Sequence, residues 1–146
     1  VCGGLICGAQ VLIETLINRA RGFIFATAPS PLNAALVRVA LEDLSNNPAR
    51  RQRAWQGIEH AHAEAARLCG LVGFESQILP VVLGDDALCM LVAETLQGQS
   101  FDIRGIRPPT VPRGTARLRI SLTGTLTKAV ITEMFQGLAV ELEAVK

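Results

Sequence analysis

The sequence has 146 residues, a formal net charge of +1 and a hydrophobic content of 49%. Because only 18% of the residues are charged, the composition excludes a largely disordered chain. The sequence has no run of ~18 apolar residues, so no membrane-spanning helix is predicted. The near-neutral charge and the absence of tyrosine disfavour a nucleic-acid-binding protein. The length suits one domain, or one domain with a piece of another. Since the sequence opens at Val1 without Met, we expect a fragment of a longer protein.

The N-terminal third is predicted to be mainly helical. Residues 1–8 are interpreted as a buried strand, and residues 9–21 as a helix with an apolar stripe that stops at Gly22. The APSP segment at 28–31 predicts a stiff loop, because proline fixes the backbone angle φ. The apolar spacing over residues 32–44 then predicts a second helix.

A longer helix is predicted from about Pro48 to Leu68. Its mixed charges are typical of a solvated face: Arg50, Arg51, Arg53, Glu59, Glu64 and Arg67. His60 and His62 lie two residues apart and are expected on different faces, so they are interpreted as surface or interdomain histidines and not as joint ligands of a metal. The four cysteines lack the spacing of a zinc knuckle and are expected to be small buried side chains: Cys2, Cys7, Cys69 and Cys89. No metal site is predicted.

The C-terminal half is predicted to mix strands and helices. Alternating or continuous apolar residues predict strands, and 3.6-residue periodicity predicts helices. Asp85 or Asp86 is expected to cap the first of these helices. The predicted strands occupy 76–83, 101–106 and 116–122, and the predicted helices run from the GDD sequence to about Gln97 and from about Thr127 to Val145. The order predicts an α+β layer, a small sheet with helices on one face.

Five arginines lie between residues 104 and 119: Arg104, Arg107, Arg113, Arg117 and Arg119. Arg107 precedes two prolines, and a stiff loop of this kind presents a guanidinium well to a carboxylate or phosphate. Arg117 and Arg119 are predicted to share the adjoining strand face. The alternative interpretation is a strand face that is solvated or paired with carboxylates. No nucleophile or general base is evident beside the loop.

Three segments resemble the 8-amino-7-oxononanoate synthases, biotin-pathway members of the pyridoxal-phosphate-dependent α-oxoamine synthases. They are RGIRPPTVPRGTARLRISLT at 104–123, LINRARGFIFATAPSPLNAALVRVAL at 16–41 and ILPVVLGDDALCMLVAETL at 78–96. The resemblance implies the C-terminal portion of an α/β enzyme of the fold-type I pyridoxal-phosphate transferase class. Residues 1–46 would then end the large cofactor-binding domain and its subunit-contact segment. Residues 47–146 would form a small α+β domain with a short, mostly antiparallel sheet.

The resemblance also implies the chemistry. The intact enzyme would be a cytoplasmic, homodimeric acyltransferase that condenses L-alanine with a pimeloyl thioester of coenzyme A or an acyl carrier protein, using pyridoxal phosphate. The Schiff-base lysine is expected just upstream of Val1, so no catalytic residue is assigned in this chain, which is expected to be inactive alone. Arg107 and Thr110 match substrate-binding residues, Arg107 through the amino-acid carboxylate. Thr27 matches a threonine that reaches the cofactor phosphate of the neighbouring subunit. No nucleic-acid or membrane partner is implied.

Two alternatives remain open. The first is an α-oxoamine synthase that uses glycine or serine, since those enzymes share the P-x-V-P-x-G-T core. The second is a non-catalytic module that binds an anionic metabolite or a partner subunit. A fragment is expected to expose apolar residues that its missing part would cover; the candidates are Val1, Leu5, Ile6, Phe23 and Phe25.

Overall fold

A computed structural model describes residues 4–145 of the chain. The chain divides into two compact units, Val1–Pro48 and Ala49–Lys146. The helices of the first unit are α1 (Gln10–Arg19), α2 (Arg21–Ile24) and α3 (Pro31–Asn46). None of the helices between residues 4 and 145 combines the length and the apolar composition that crossing a bilayer takes.

Two predictions for the first unit are wrong, the strand at residues 1–8 and the end of the first helix at Gly22. The strand predicted at 1–8 is wrong for the part that is described: residues 4–9 have no regular structure and are exposed, while residues 1–3 lie outside the described residues. A strand needs a partner for its backbone hydrogen bonds, and no strand lies among the described residues of this unit. Helix α1 ends at Arg19, followed by Ala20 with an extended backbone, and Gly22 lies inside α2. Glycine can adopt the backbone angles of a helix as well as those of a helix end, so Gly22 does not by itself end the helix.

The first unit lacks a core within its described residues. Helices α1, α2 and α3 contain no buried residue. The predicted exposure of Leu5, Ile6, Phe23 and Phe25 is confirmed, with between 65% and 77% of each residue accessible to solvent. Val1, the fifth predicted member, lies outside the described residues. Apolar surface of this extent is typical of a segment that packs against further protein.

The second unit contains one antiparallel sheet in the order β1-β3-β2. Its strands are β1 (Ile78–Gly84), β2 (Arg104–Ile106) and β3 (Ala116–Ser121). The predicted alternation along β3 is confirmed, because Ala116, Leu118 and Ile120 are buried while the residues between them are not. Strand β2 is shorter than the predicted 101–106, since only its last three residues pair with β3.

Three helices cover the apolar face of the sheet: α4 (Pro48–Cys69), α5 (Asp86–Gly98) and α6 (Lys128–Ala144). Phe135 and Leu138 of α6 are fully buried in one cluster with Leu79 and Leu118 of the sheet. The cap predicted at Asp85 or Asp86 is Asp85, whose carboxylate accepts a hydrogen bond from the Leu88 backbone N–H at 2.8 Å. The predicted α+β layer with helices on one face is therefore confirmed.

Candidate functional site

The loop between β2 and β3 is held by its own backbone. The Thr110 N–H donates to the Arg107 carbonyl at 3.1 Å, and the Thr115 N–H donates to the Pro112 carbonyl at 3.2 Å. The Thr115 hydroxyl donates to the same carbonyl at 2.7 Å. Two successive turns therefore form where three prolines remove backbone donors, and the first of them contains both Arg107 and Thr110.

The five arginines divide into paired and unpaired side chains. Arg104 forms an ion pair with Asp102 at 2.6 Å, and Arg117 donates to the Thr115 carbonyl at 3.0 Å. Within residues 4–145, the guanidinium groups of Arg107, Arg113 and Arg119 have no hydrogen-bond or ion-pair partner. Arg107 is exposed, so its guanidinium is available to a carboxylate or phosphate.

The strand register brings three of these arginines to one face of the sheet. Arg104 lies opposite Arg119, and Arg117 lies opposite Ile106, the residue before Arg107. The prediction that Arg117 and Arg119 share a face next to Arg107 is confirmed. Directly opposed like charges are unfavourable, and the ion pair of Arg104 with Asp102 offsets part of this repulsion.

A cavity of about 710 Å³ is lined by residues of β2, β3 and α6. Arg104 and Arg119 line it, together with Asp102 and Glu133, so its charged groups are balanced in number. Arg107 and Thr110 are not among its lining residues. The turn that holds these two residues is therefore an exposed loop site and not part of this cavity.

Thr27 lies in the first unit, on the exposed loop between α2 and α3. Its hydroxyl has no hydrogen-bond partner among residues 4–145. Ser30 occupies the N-cap position of α3 but makes no side-chain cap hydrogen bond, and the backbone N–H groups of the first helical turn lack intrahelical partners. The loop thus presents two free hydroxyls beside a helix N-terminus, which is donor chemistry that suits a phosphate.

Glu64 was expected on a solvated helix face, and that expectation is wrong. Glu64 is only 8% exposed. Arg67 donates to its carboxylate from Nε at 3.0 Å and from Nη2 at 2.7 Å. The Arg67 hydrogen bonds, helped by the Thr132 hydroxyl and the charge of His60, lower the pKa of Glu64 from 4.5 to about 2 against the effect of burial. The i,i+3 spacing of the pair was the available sequence signal.

Both histidines of α4 form hydrogen bonds to other parts of the second unit. His60 Nε2 lies 3.0 Å from the Thr132 hydroxyl, and His62 Nε2 lies 3.0 Å from the Ser76 carbonyl. Both side chains are half-buried, so they remain partly exposed at the surface, as predicted, while α4 turns both rings towards polar groups of its own unit. Within residues 4–145, no three His, Cys, Asp or Glu side chains are grouped so that they could hold a metal ion.

The cysteines differ in burial. Cys89 is buried and Cys69 half-buried, whereas Cys7 is exposed, which corrects the prediction for Cys7. Cys7 follows a segment that forms no strand and so has nothing to pack against. Cys2 lies outside the described residues. Burial raises the pKa of the Cys69 and Cys89 thiols, which keeps both protonated and poorly nucleophilic near neutral pH.

A second cavity, of about 310 Å³, lies at the start of α4 and is not predicted from the sequence. Arg51, Arg53 and Trp55 line it, and both arginines are exposed, as predicted for a solvated helix face. The arrangement of Arg51 and Trp55 at i and i+4 places both side chains on one side of the helix. That spacing was the signal in the sequence.

Residues 1–138 match the family described as aminotransferase class I and II. The chain belongs to this family. The 8-amino-7-oxononanoate synthase of Hydrogenovibrio crunogenus is 38% identical to it over 139 residues, which is 94% of this chain and 35% of that protein. The 8-amino-7-oxononanoate synthase of Anaeromyxobacter dehalogenans is 39% identical over 142 residues, with the same shares covered. The chain spans about 35% of the length of these curated relatives, and the resemblance found in the sequence is confirmed.

Solved structures of similar proteins establish the fold. The crystal structure of 8-amino-7-oxononanoate synthase from Francisella tularensis matches with a TM-score of 0.76 at 25% identity, over 94% of this chain and 41% of that one. A serine palmitoyltransferase from S. paucimobilis matches with a TM-score of 0.77 at 24% identity, over 90% and 34%. The fold-type I class expected from the resemblance is confirmed for the C-terminal part of such a protein.

Proposed function

We propose that this chain is part of an 8-amino-7-oxononanoate synthase, a cytoplasmic acyltransferase of biotin biosynthesis that condenses L-alanine with a pimeloyl thioester. The observation that carries the proposal is the free guanidinium of Arg107 in a turn closed by Thr110. The similarity to two curated synthases at 38% and 39% identity supports the same reaction. Because the chain covers about 35% of these relatives, the activity is proposed for a longer protein, which we propose to be a homodimer.

Arg107 binds the carboxylate of the amino acid in this proposal. A guanidinium forms two parallel hydrogen bonds to a carboxylate, which fixes the orientation of the substrate as well as its charge. The turn that holds Arg107 is already closed in the free protein, so less conformational freedom is lost on binding. Thr110, at the end of the same turn, offers a hydroxyl to the same substrate.

Thr27 and its loop are proposed to hold the phosphate of the pyridoxal phosphate of the neighbouring subunit. The free hydroxyls of Thr27 and Ser30 beside the start of α3 fit that group, and the S. paucimobilis serine palmitoyltransferase is described with PLP and myriocin bound. When bound, the cofactor supplies an electron sink for the carbanion that decarboxylation generates. Residues 1–46 are accordingly proposed to end the large cofactor-binding domain, and residues 47–146 to form the small domain.

The test is the substitution Arg107→Ala in the full-length protein. A charge-assisted hydrogen-bonded contact contributes about 1.5–3 kcal/mol, so kcat/KM for L-alanine should fall by roughly 10- to 150-fold. Arg107→Lys keeps the positive charge but lacks the planar guanidinium, so its kcat/KM should lie between those of wild type and Arg107→Ala. The measurement is the steady-state rate of carbon dioxide release with a pimeloyl thioester as acyl donor.

Arg113→Ala is the matched control, because Arg113 lies in the same loop, is exposed and is not assigned a contact. Its kcat/KM should stay within about threefold of wild type. An Arg107→Ala protein that matches the Arg113→Ala protein would refute the carboxylate role. Glycine and serine in the same assay separate the alternative α-oxoamine synthases, and no turnover with any amino acid would favour the non-catalytic binding module.

The cofactor assignment has its own test in the same protein. Borohydride reduction after addition of pyridoxal phosphate, followed by peptide mapping, should locate a stoichiometric adduct on a lysine outside this sequence. An adduct on Lys128, at the start of α6, or on Lys146, which lies outside the described residues, would contradict the assignment.

A further inference from the structure

The cavity of about 310 Å³ in the second unit lies where the start of α4 faces the loop between β3 and α6. Its floor is apolar and is formed by Ile58, Leu122 and Ile131. A Cβ atom built on Gly124 of the loop would lie 3.8 Å from the Ala54 Cβ, so the loop lies directly against the helix. The cavity therefore has a firm apolar base with a polar rim above it.

The rim carries positive charge without compensation from acidic side chains. Arg51 and Arg53 line the cavity, and no aspartate or glutamate does. Both arginines are exposed, and neither takes part in an ion pair among the described residues. Cations in the first turns of a helix oppose the helix dipole, so these two do not stabilise α4. Although Arg51 and Arg53 lie two residues apart on α4, both long side chains line the cavity, and two guanidinium groups at one rim suit an anion, most simply a phosphate.

Trp55 adds a flat apolar surface to the same rim. Its side chain lines the cavity while the residue remains 48% exposed. Trp55 follows Arg51 by four residues, so indole and guanidinium lie on one side of α4. An exposed indole face accepts a planar ring by stacking. The cavity volume is at the lower end of ligand sites, which suits one nucleotide and not a dinucleotide.

We propose that this cavity binds a small phosphate ester that carries a planar base, the chemistry of a purine nucleotide. The phosphate contacts Arg51 and Arg53, and the base stacks on Trp55. The site uses none of Arg107, Thr110 and Thr27, so it does not depend on the function proposed above.

Trp55 is the single tryptophan of the sequence, and its fluorescence therefore reports on the cavity directly. Adenosine monophosphate added to the 146-residue chain should quench it saturably. The dissociation constant should be at least about tenfold lower than for adenosine or inorganic phosphate alone, because each of these lacks one of the two contacts. If the fluorescence shows no saturable change up to ~5 mM nucleotide, the dissociation constant lies above the millimolar range. That result would overturn the proposal. Equal binding of phosphate or adenosine alone would also overturn it.

The matched variants are Arg51→Gln with Arg53→Gln, compared with Arg38→Gln with Arg113→Gln, so that each protein loses two positive charges. The first double variant should raise the dissociation constant for adenosine monophosphate at least about tenfold, and the second, at exposed arginines that do not line the cavity, should leave it unchanged. Because all four arginines are exposed, circular dichroism should show unaltered folding. Equal losses in both proteins would mean that net charge alone attracts the nucleotide, and the site would be refuted.

Discussion

Gly105 permits the close approach of β2 to α5. A Cβ atom at this position would lie 2.9 Å from the Met90 Sδ, 3.4 Å from the Cys89 carbonyl oxygen and 3.5 Å from the Ala93 Cβ. The methionine side chain can move, but the helix backbone cannot. We expect Gly105→Ala to lower the free energy of unfolding by about 1–3 kcal/mol, the usual cost of overpacking. Chemical denaturation measures it, and Met90→Ala in the same background should recover part of the loss.

Gly137, in the middle of α6, should respond to alanine in the opposite direction. The atom nearest to a new Cβ is the Gln99 Oε1 at 2.6 Å, which is the end of an exposed and flexible side chain. Alanine is favoured over glycine in a helix interior by about 0.8–1 kcal/mol. We expect Gly137→Ala to raise the free energy of unfolding by about 0.5–1 kcal/mol. If denaturant titration instead shows a lower free energy of unfolding for Gly137→Ala, the Gln99 side chain cannot move away from the new Cβ atom, and the prediction is wrong.

The contact between α4 and α6 contains the buried carboxylate of Glu64. Its partners are Arg67 on the same helix and Thr132 across the contact, and the charge of His60 acts in the same direction. These groups lower the pKa of Glu64 from 4.5 to about 2. The folded state therefore binds a proton at Glu64 less readily than the unfolded chain does.

The sign of the pH dependence follows from this depressed pKa. Glu64 contributes its full stabilisation above pH 4.5 and loses it as the pH falls towards about 2. We expect the free energy of unfolding of the Glu64→Gln protein to fall less steeply between these two pH values than that of wild type. Urea denaturation at several pH values measures this, with Glu59→Gln as control, since Glu59 is an exposed carboxylate of the same helix. Parallel curves for wild type and Glu64→Gln would contradict the prediction.

At the scale of the whole molecule, the two units differ in what they bury. All of the buried side chains described belong to the unit Ala49–Lys146, whereas α1, α2 and α3 bury none. Burial of apolar surface is the main source of folding free energy. The stability of this chain therefore resides in its second unit.

We expect residues 48–146 alone to unfold cooperatively, with a midpoint within a few degrees of the 146-residue chain, since a shift of ~5 °C corresponds to about 1 kcal/mol at this size. Hydrogen exchange should be slow in β3 and α6 and fast throughout α1–α3. Thermal unfolding followed by circular dichroism measures the midpoint. A non-cooperative transition in the shortened chain would show that the first unit contributes to the core.

Elements whose pattern is local were predictable from the residues alone. The alternation of Ala116, Leu118 and Ile120 predicts β3, the apolar periodicity predicts α6, and the adjacent Asp85 and Asp86 predict a cap at one of the two, because each depends on neighbours within a few residues along the chain. The turn that contains Arg107 and Thr110 was predictable for the same reason, since its prolines restrict the backbone directly. The resemblance to a family likewise rests on contiguous segments.

Features that depend on distant partners become visible only in the folded chain. The burial of Glu64 requires Thr132 of α6, the cavity around Trp55 requires the loop after β3, and the place of Arg104 opposite Arg119 requires the strand register. Residues 4–9 are an example in which a local pattern was not sufficient. Their apolar residues form no strand, since no strand among the described residues pairs with them. Burial, cavities and strand pairing are properties of surfaces in contact, and residues far apart in the chain supply those surfaces.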